Sequence, residues 1–479
     1  MIGMVSMLFV YPLDHETYGT AQFFIGCILL LLPFASLGLP QVIIKFFAEF
    51  DSVGDGRKLL PTLLVCGLVI SFCFAVLFYL CRGFAYASLE SAGFDIILLQ
   101  SNMPWILASV GAVLIFYIIN SFLTNYGKVA IPVAIQDLGF KLFLPALVLL
   151  SAYGTLAPTR IAPLIFCYYT VSIIVVLAYG AYYGLITYKL DLTFFKEAVN
   201  RKTVLTYGLF IALTSLGSMM AFRLDSFMIT TLLDAEQNGL YFNILVMASV
   251  IDMPNKSIGK VAGPIIAKNW SLGNTNEISK MYTKSSILNQ IVGSLIFIGV
   301  LVNLEHLFDV SSNPEAFTGG VLLFVVIGIA KLLDGIAGVN SQVLSYSEAY
   351  KYNLYFMLFL AALSISTNYI LIPEYGVLGA AIATCVSLTA FNLLKLMFLY
   401  TRYRLQPLST ANLVIAVVTV VVASCVWWIP AFRNDLLSII VKSTIVLVLF
   451  LPLIYWTRVS QDFNDIMSKQ VLARWKAKS

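Results

Sequence analysis

Thirteen long apolar stretches follow one another along this chain, near residues 21–45, 59–81, 97–123, 129–152, 161–187, 203–222, 239–266, 284–303, 318–339, 352–373, 376–400, 411–430 and 436–457, with only short loops between them. About 20 apolar residues are enough to cross the hydrocarbon core of a bilayer. Inside that core every backbone amide must be satisfied within its own segment or a closed barrel, so a chain of such stretches folds as an all-α bundle. Charged residues make up 11% of the chain, against about 25% in soluble domains. The sequence therefore describes a polytopic membrane protein, and its net charge of +5 is no argument for nucleic acid.

The Lys and Arg residues sort unequally between the two sides of the membrane. Nineteen fall on the side that holds Lys45, Arg57, Lys128, Lys268, Lys351 and the tail after residue 457. Only Arg82, Arg160, Arg223 and Arg433 fall on the other, and six lie within spans. The positive-inside rule makes the first side cytoplasmic. Trp427 and Trp428 at one face and Trp456 at the other fit interfacial anchors.

The chain also repeats itself. Leu13-Asp14-x-Glu16-x-x-Gly19 returns as Leu233-Asp234-x-Glu236-x-x-Gly239, and Pro33-x-x-Ser36-x-Gly38 returns as Pro254-x-x-Ser257-x-Gly259. Lys128 finds its counterpart in Lys351. Both acidic turns introduce an inward-running helix from the same side, as in parallel repeats related by an axis along the membrane normal. The expected organisation is an N-terminal lobe over 1–187, a cytoplasmic linker over 188–202 and a C-terminal lobe over 203–400. Two additional helices over 411–457 and a cytoplasmic tail over 458–479 follow. The counterpart of span 203–222 would lie before Met1. The apolar piece 1–13 rises only about 20 Å as helix, against a core of about 30 Å. The sequence leads us to expect a start upstream of Met1, with a truncated first helix as the alternative.

Several function classes are excluded on residue grounds. No G-x-x-x-x-G-K-[ST] occurs, so no phosphate-cradling loop is present. His15 and His306 are the only histidines, and the seven cysteines lie in or beside apolar segments without ligand spacing. Neither a metal cluster nor a resident cofactor is expected, and no loop has room for a catalytic domain.

Gly3, Pro12, Leu13, Glu16, Tyr18 and Gly19 in the first half, with Asp225, Ile229, Leu233, Gly239 and Tyr241 in the second, carry a family likeness. On these residues and on its span pattern the chain resembles the bacterial polysaccharide (O-antigen repeat-unit) flippases of the multidrug/oligosaccharidyl-lipid/polysaccharide exporter superfamily. It departs from them at the N-terminus, where the family has a full first helix. The resemblance implies fourteen helices in two lobes around a central cavity. It also implies movement of a lipid-linked glycan from the inner to the outer leaflet by alternating access.

An ionisable residue within a span costs about 2.5–3.5 kcal/mol on insertion scales, so each marks a pair or a functional position. Asp252, Lys256 and Lys260 recur at i, i+4 and i+8, beside Pro254 and Gly259. If this stripe faces the cavity, its lysines would attract a pyrophosphate. Otherwise Asp252 and Lys256 form an internal pair and Lys260 reaches towards the headgroups. Asp137 with Lys141, and Lys331 with Asp334, read either as neutralised structural pairs or as a gate or cation-coupling site. Arg223 and Asp225, at the end of span 203–222, read as an interfacial cap or an exit gate. Lys45 with Glu49 reads as a solvated pair or an anionic-headgroup site, and Lys395 and Lys442 read as snorkelling residues.

These residues suit a flippase for an undecaprenyl-pyrophosphate-linked oligosaccharide in the bacterial inner membrane, driven by a proton or sodium gradient or by the membrane potential. Polysaccharide polymerase or assembly proteins would be its partners. A multidrug or cation antiporter of the same superfamily is the first alternative, and it calls for unpaired acids. A membrane-embedded glycan polymerase or ligase is another, and it calls for a polar catalytic cluster.

Overall fold

The computed structural model describes residues 2–187 and 201–465, apart from 54, 55, 155, 157, 431 and 433, together with residue 468. The expected linker over 188–202 and the tail beyond 465 thus lie almost wholly outside the described residues. Among those described there is no strand. Ten helices are long and apolar enough to cross a membrane, and a pair bent by 44° at 337–339 makes an eleventh span. The protein is a multi-pass helical membrane protein.

The helices are α1 (Ile2–Phe9), α2 (His15–Ser36), α3 (Leu39–Val53), α4 (Leu59–Ser91), α5 (Ile97–Asn125), α6 (Ala130–Ala152), α7 (Ile161–Tyr182), α8 (Arg201–Leu232) and α9 (Ala235–Ala248). They continue as α10 (Met253–Ser271), α11 (Thr275–Leu301), α12 (Leu304–Asp309), α13 (Gly320–Ile336), α14 (Asn340–Tyr346), α15 (Tyr352–Tyr375), α16 (Val377–Tyr403), α17 (Thr410–Trp427) and α18 (Asp435–Thr457). One expected span departs from a simple crossing helix. The stretch 239–266 is interrupted by a 3-10 turn over Ser249–Asp252.

Two compact units make up the chain. One holds residues 1–6 and 13–239, the other residues 7–12 and 240–479. Residues 203–239, expected in the C-terminal lobe, therefore pack with the first unit, where α8 lies chiefly along α2. The short segment 7–12 packs with the second unit instead. There Asn243 donates its Nδ2 to the Met7 carbonyl at 3.0 Å, and the Ser312 amide donates to the Leu8 carbonyl at 3.1 Å.

The repeated acidic turns have a structural explanation within the first unit. Asp14 caps α2 by accepting from the Thr17 amide at 2.9 Å, and Asp234 accepts from the Gln237 amide at 2.7 Å. Each satisfies one of the amides that open a helix without an intrahelical partner. Five residues after each cap, a glycine lets two backbones meet. A Cβ on Gly19 would strike the Ala235 carbonyl, and a Cβ on Gly239 would strike the His15 carbonyl. Asn238 completes the crossing by donating its Nδ2 to the Gly19 carbonyl at 2.8 Å and to Ser226 Oγ at 3.0 Å.

In the second unit the two C-terminal helices α17 and α18 pack on α11. Ile291, Ile298, Val422, Val446 and Phe450 form part of their shared apolar core. A buried amide exchange fixes the register, with Gln290 Nε2 donating to the Asn412 carbonyl at 2.9 Å and Asn412 Nδ2 donating to Gln290 Oε1 at 2.7 Å.

Candidate functional site

The second copy of the repeat carries the charges, and its backbone is broken there. Pro254 has no amide hydrogen to continue α9, and proline suits the first turn of a new helix. The chain therefore tightens into the Ser249–Asp252 turn and restarts as α10. Asp252 is buried at this restart, 8% exposed. Lys256 Nζ lies 3.2 Å from Asp252 Oδ2, so the expected i, i+4 pair forms. Asn255 also faces Asp252, with Nδ2 3.4 Å from Oδ1, and in turn accepts from Asn289 Nδ2 at 3.0 Å. Lys260, one turn further along, is exposed and has no carboxylate within pairing distance among the described residues. Gly259 is the close-approach position of α10, where a Cβ would meet the Gln342 side chain at 2.5 Å.

A second polar centre braces the bend between α13 and α14. Gly338 takes φ +59 there, and the Val339 amide donates to Ser285 Oγ at 3.3 Å. Around the bend runs a directional chain of hydrogen bonds. Lys395 Nζ donates to Ser341 Oγ at 2.9 Å, and Ser341 Oγ donates to Asn340 Oδ1 at 3.1 Å. Asn340 Nδ2 then donates to Asn392 Oδ1 at 2.9 Å, and Asn392 Nδ2 to Asp334 Oδ1 at 2.8 Å. Every link runs from the ammonium towards the carboxylate, so successive bonds polarise one another in the same sense. Asp252, Lys331 and Lys395 are the charged neighbours of Asp334.

This geometry revises several sequence expectations. Lys395 is not a snorkelling residue, for it is 0% exposed and its ammonium lies 4.2 Å from the centre of the Phe391 ring. Lys442 does not snorkel either. It is buried, with Nζ 3.1 Å from His306 Nε2, while His306 Nδ1 lies 2.9 Å from Asp435 Oδ1. An ammonium has only hydrogens to give, so Nε2 accepts and Nδ1 carries the proton towards Asp435. His306, placed outside any constellation by sequence, thus ties α12 to α18. Its donor atoms and those of Asp309 and Asp435 lie within 4.8 Å of one another, but the Lys442 ammonium on the same ring opposes a bound cation there.

Among the described residues Lys331 makes no ion pair with Asp334, which accepts from Asn392 instead. In the first unit, Asp137 and Lys141 are both exposed and unpaired with each other, and a π-turn over Ile135–Gly139, which contains Asp137, interrupts the helix. That turn leaves room for Tyr168, whose hydroxyl donates to the Ile135 carbonyl at 2.8 Å. Arg223 and Asp225 lie within α8, which runs on to Leu232. Arg223 has Tyr18, Tyr169 and Tyr117 as its electrostatic neighbours, and Asp225 is 6% exposed. Lys45 lies with its ammonium 3.8 Å from the centre of the Tyr207 ring.

The buried amides were missed by sequence reasoning. Asn392 and Lys395 stand three residues apart on one face of an otherwise apolar helix, and that spacing was the available signal.

Set beside solved structures, the chain is similar to the lipid II flippase MurJ in an inward closed conformation, with a TM-score of 0.68 at 11% identity, over 98% of this chain and 97% of that one. The likeness is one of fold, over nearly the whole of both chains. It is also similar to a multidrug resistance MATE family transporter of the MOP superfamily in an inward-facing conformation, with a TM-score of 0.63 at 14% identity, over 84% and 93% of the two chains. A MOP superfamily transporter from Pyrococcus furiosus, described as having a binding pocket of reversed polarity, gives a TM-score of 0.54 at 13% identity, over 84% and 90%. These neighbours are transporters and flippases, not enzymes. By sequence the chain is similar to an uncharacterized membrane protein of Methanocaldococcus jannaschii, 27% identical over 187 residues. That match spans 38% of this chain and 42% of the relative's length. No family model matches.

Proposed function

We propose that this protein is a flippase that moves an undecaprenyl-pyrophosphate-linked oligosaccharide from the inner to the outer leaflet by alternating access, for surface polysaccharide synthesis. The observation that carries this reading is the surplus of positive charge on α10. Asp252 is already engaged by Lys256 at 3.2 Å, so Lys260 stands unneutralised on the same exposed face. A flexible ammonium of this kind suits a phosphate as a point charge. The similarity to a lipid II flippase supports a cargo with a lipid-linked pyrophosphate, of which a peptidoglycan precursor is one form. An ion gradient or the membrane potential would supply the energy, and the tail would lie on the cytoplasmic side of a bacterial inner membrane.

The test is flipping of an undecaprenyl-pyrophosphate glycan in proteoliposomes. Lys256→Ala with Lys260→Ala should lower the rate at least tenfold, and the double arginine variant should retain most of it. Wild-type flipping by the double alanine variant would remove the lysine stripe from the mechanism.

A multidrug or cation antiporter is the second reading, favoured by the similarity to a MATE transporter and by the carboxylate of Asp334. Against it, Asp334 accepts from Asn392 in a chain that ends on Lys395, and so is not a free acid for a cationic drug. Efflux of a cationic dye lost in Asp334→Asn, with glycan flipping absent in wild type, would establish the antiporter instead.

A further inference from the structure

Within the first unit, the first half of α4 touches the second half of α5, and a groove opens between the two helices towards Arg82 and Gln100. They meet where a Cβ on Gly67 would strike Ile118, and where Gly111 faces the Ser71 side chain at 3.5 Å. Beyond Gly111 and Ser71 the two helices separate, and they are joined again at the far end, where Gln100 Nε2 donates to Glu90 Oε1 at 3.0 Å. Between these ties lies a cavity of about 900 Å³. Its walls include Phe72, Val76, Leu80, Met103, Leu107 and Ala108, and its polar groups are Ser71, Tyr79, Arg82, Tyr86 and Gln100. Phe72 is 69% exposed and Leu80 76% exposed, so the cavity opens sideways from the bundle.

Its depth in the membrane follows from helix rise. Arg57 and Lys58 precede α4, which places Leu59 near one edge of the hydrocarbon. At about 1.5 Å per residue, a core of about 30 Å ends near Tyr79 and its midplane lies near Val69. The cavity begins near Leu68 and ends near Arg82 and Tyr86. It therefore spans one leaflet from midplane to headgroup level. Arg82 stands at that level with its guanidinium over the Tyr79 ring, 3.6 Å from the ring centre, and with no carboxylate partner among the described residues. Glu90, the nearby acid, is engaged by Gln100.

We infer that this groove is a binding site for a glycerophospholipid of the leaflet opposite Arg57 and Lys58, its phosphate on Arg82 and an acyl chain between α4 and α5. The chemistry divides cleanly along the groove. The deep part offers apolar side chains over a floor of small residues that includes Ser71, and the cation of the groove, unpaired among the described residues, stands at the height of a lipid phosphate. An arginine fork suits a phosphate and needs no partner from the protein. The site is remote in sequence from the lysines of α10, and the inference does not rest on the proposed function.

The experiment uses the full-length protein in vesicles of phosphatidylethanolamine and phosphatidylglycerol, doped with a phospholipid carrying a diazirine near the end of one acyl chain. Illumination should place adducts on peptides covering residues 68–80 and 103–111. Arg82→Gln should lower the yield at least threefold, Arg82→Lys should largely restore it, and Ala108→Trp should abolish it by filling the groove. Adducts spread evenly over other outward-facing helices, or a yield unchanged in Arg82→Gln and Ala108→Trp, would overturn the site. An undecaprenyl phosphate probe is the second arm. If it labels the groove and excess phospholipid does not compete, the glycerophospholipid assignment is wrong.

Discussion

The two copies of the repeat begin alike and end differently. Each opens with an aspartate cap and a glycine that admits the other copy's backbone, and these are the parts that the first unit holds together. Beyond them the first copy continues unbroken to Ser36 and stops at a left-handed turn, with φ +47 at Leu37 and +72 at Gly38. The second copy breaks earlier, at Ser249–Asp252, and carries its proline, serine and glycine into a new helix. The matched Pro and Ser therefore precede the turn in the first copy, whose Gly38 is part of it, while Pro254, Ser257 and Gly259 all follow the break in the second. Duplication preserved the opening turn of the helix, where capping and close approach leave little choice of residue. It left the far end free to diverge, and the charges collect where it diverged.

The shared opening is the costliest part to disturb. Gly19→Val and Gly239→Val each place a side chain against a backbone carbonyl that cannot swing aside, and overpacking of this kind costs about 1–3 kcal/mol or more. Both variants should lose most of the monodisperse, folded protein on size-exclusion chromatography. Gly26→Ala, whose nearest neighbours would be 3.6 Å away, should not. If either valine variant behaves as wild type, the two copies are not held at this crossing.

The charged half offers the next test. Lys395→Met removes the ammonium that ends the hydrogen-bond chain and leaves Ser341 Oγ without its donor. Leaving a buried hydrogen-bond partner unsatisfied costs about 1–3 kcal/mol. The expected result is a clear fall in thermal stability, and Lys331→Met, at a partly exposed and unpaired position, should show almost none. Smaller still is the contrast between the prolines. Pro254→Ala should let α9 run on through residues 249–252, shown by a changed distance between spin labels on α9 and α10. Pro33→Ala should leave the turn at Leu37 and Gly38 in place, because left-handed backbone, not the proline, ends that helix. The smallest effect belongs to the caps. Asp14→Ala and Asp234→Ala should each cost about 1 kcal/mol in stability, by equal amounts if both helices rely on their caps alike.

Much of the fold was legible because membrane spans obey length and polarity rules that a single sequence can satisfy or fail. Eleven of the thirteen stretches, the two acidic caps and the Asp252–Lys256 pair could be read from spacing. The breaks were less legible. Ser249-Val250-Ile251 is as compatible with a continuous helix as with a 3-10 turn, and only Pro254 hinted at the interruption. Lys395 was misread because periodicity alone does not separate a lysine facing the bilayer from one facing a neighbouring helix. Its partners Ser341 and Asn340 lie more than fifty residues away, across a bend that no local pattern announces.

The reciprocal packing of residues 7–12 and 201–239 bears on how such a chain is made. The first unit cannot close when residue 187 leaves the ribosome, since the helix that lies along α2 has not yet been synthesised. Until about residue 239 is inserted, the face of α2 that will receive α8 must be held by lipid or by the insertion machinery. Once those residues arrive, the second half begins its own assembly with its opening helix already committed elsewhere. Biogenesis is thereby ordered in time, and two halves expressed separately and cut at the expected linker would each lack a segment carried by the other.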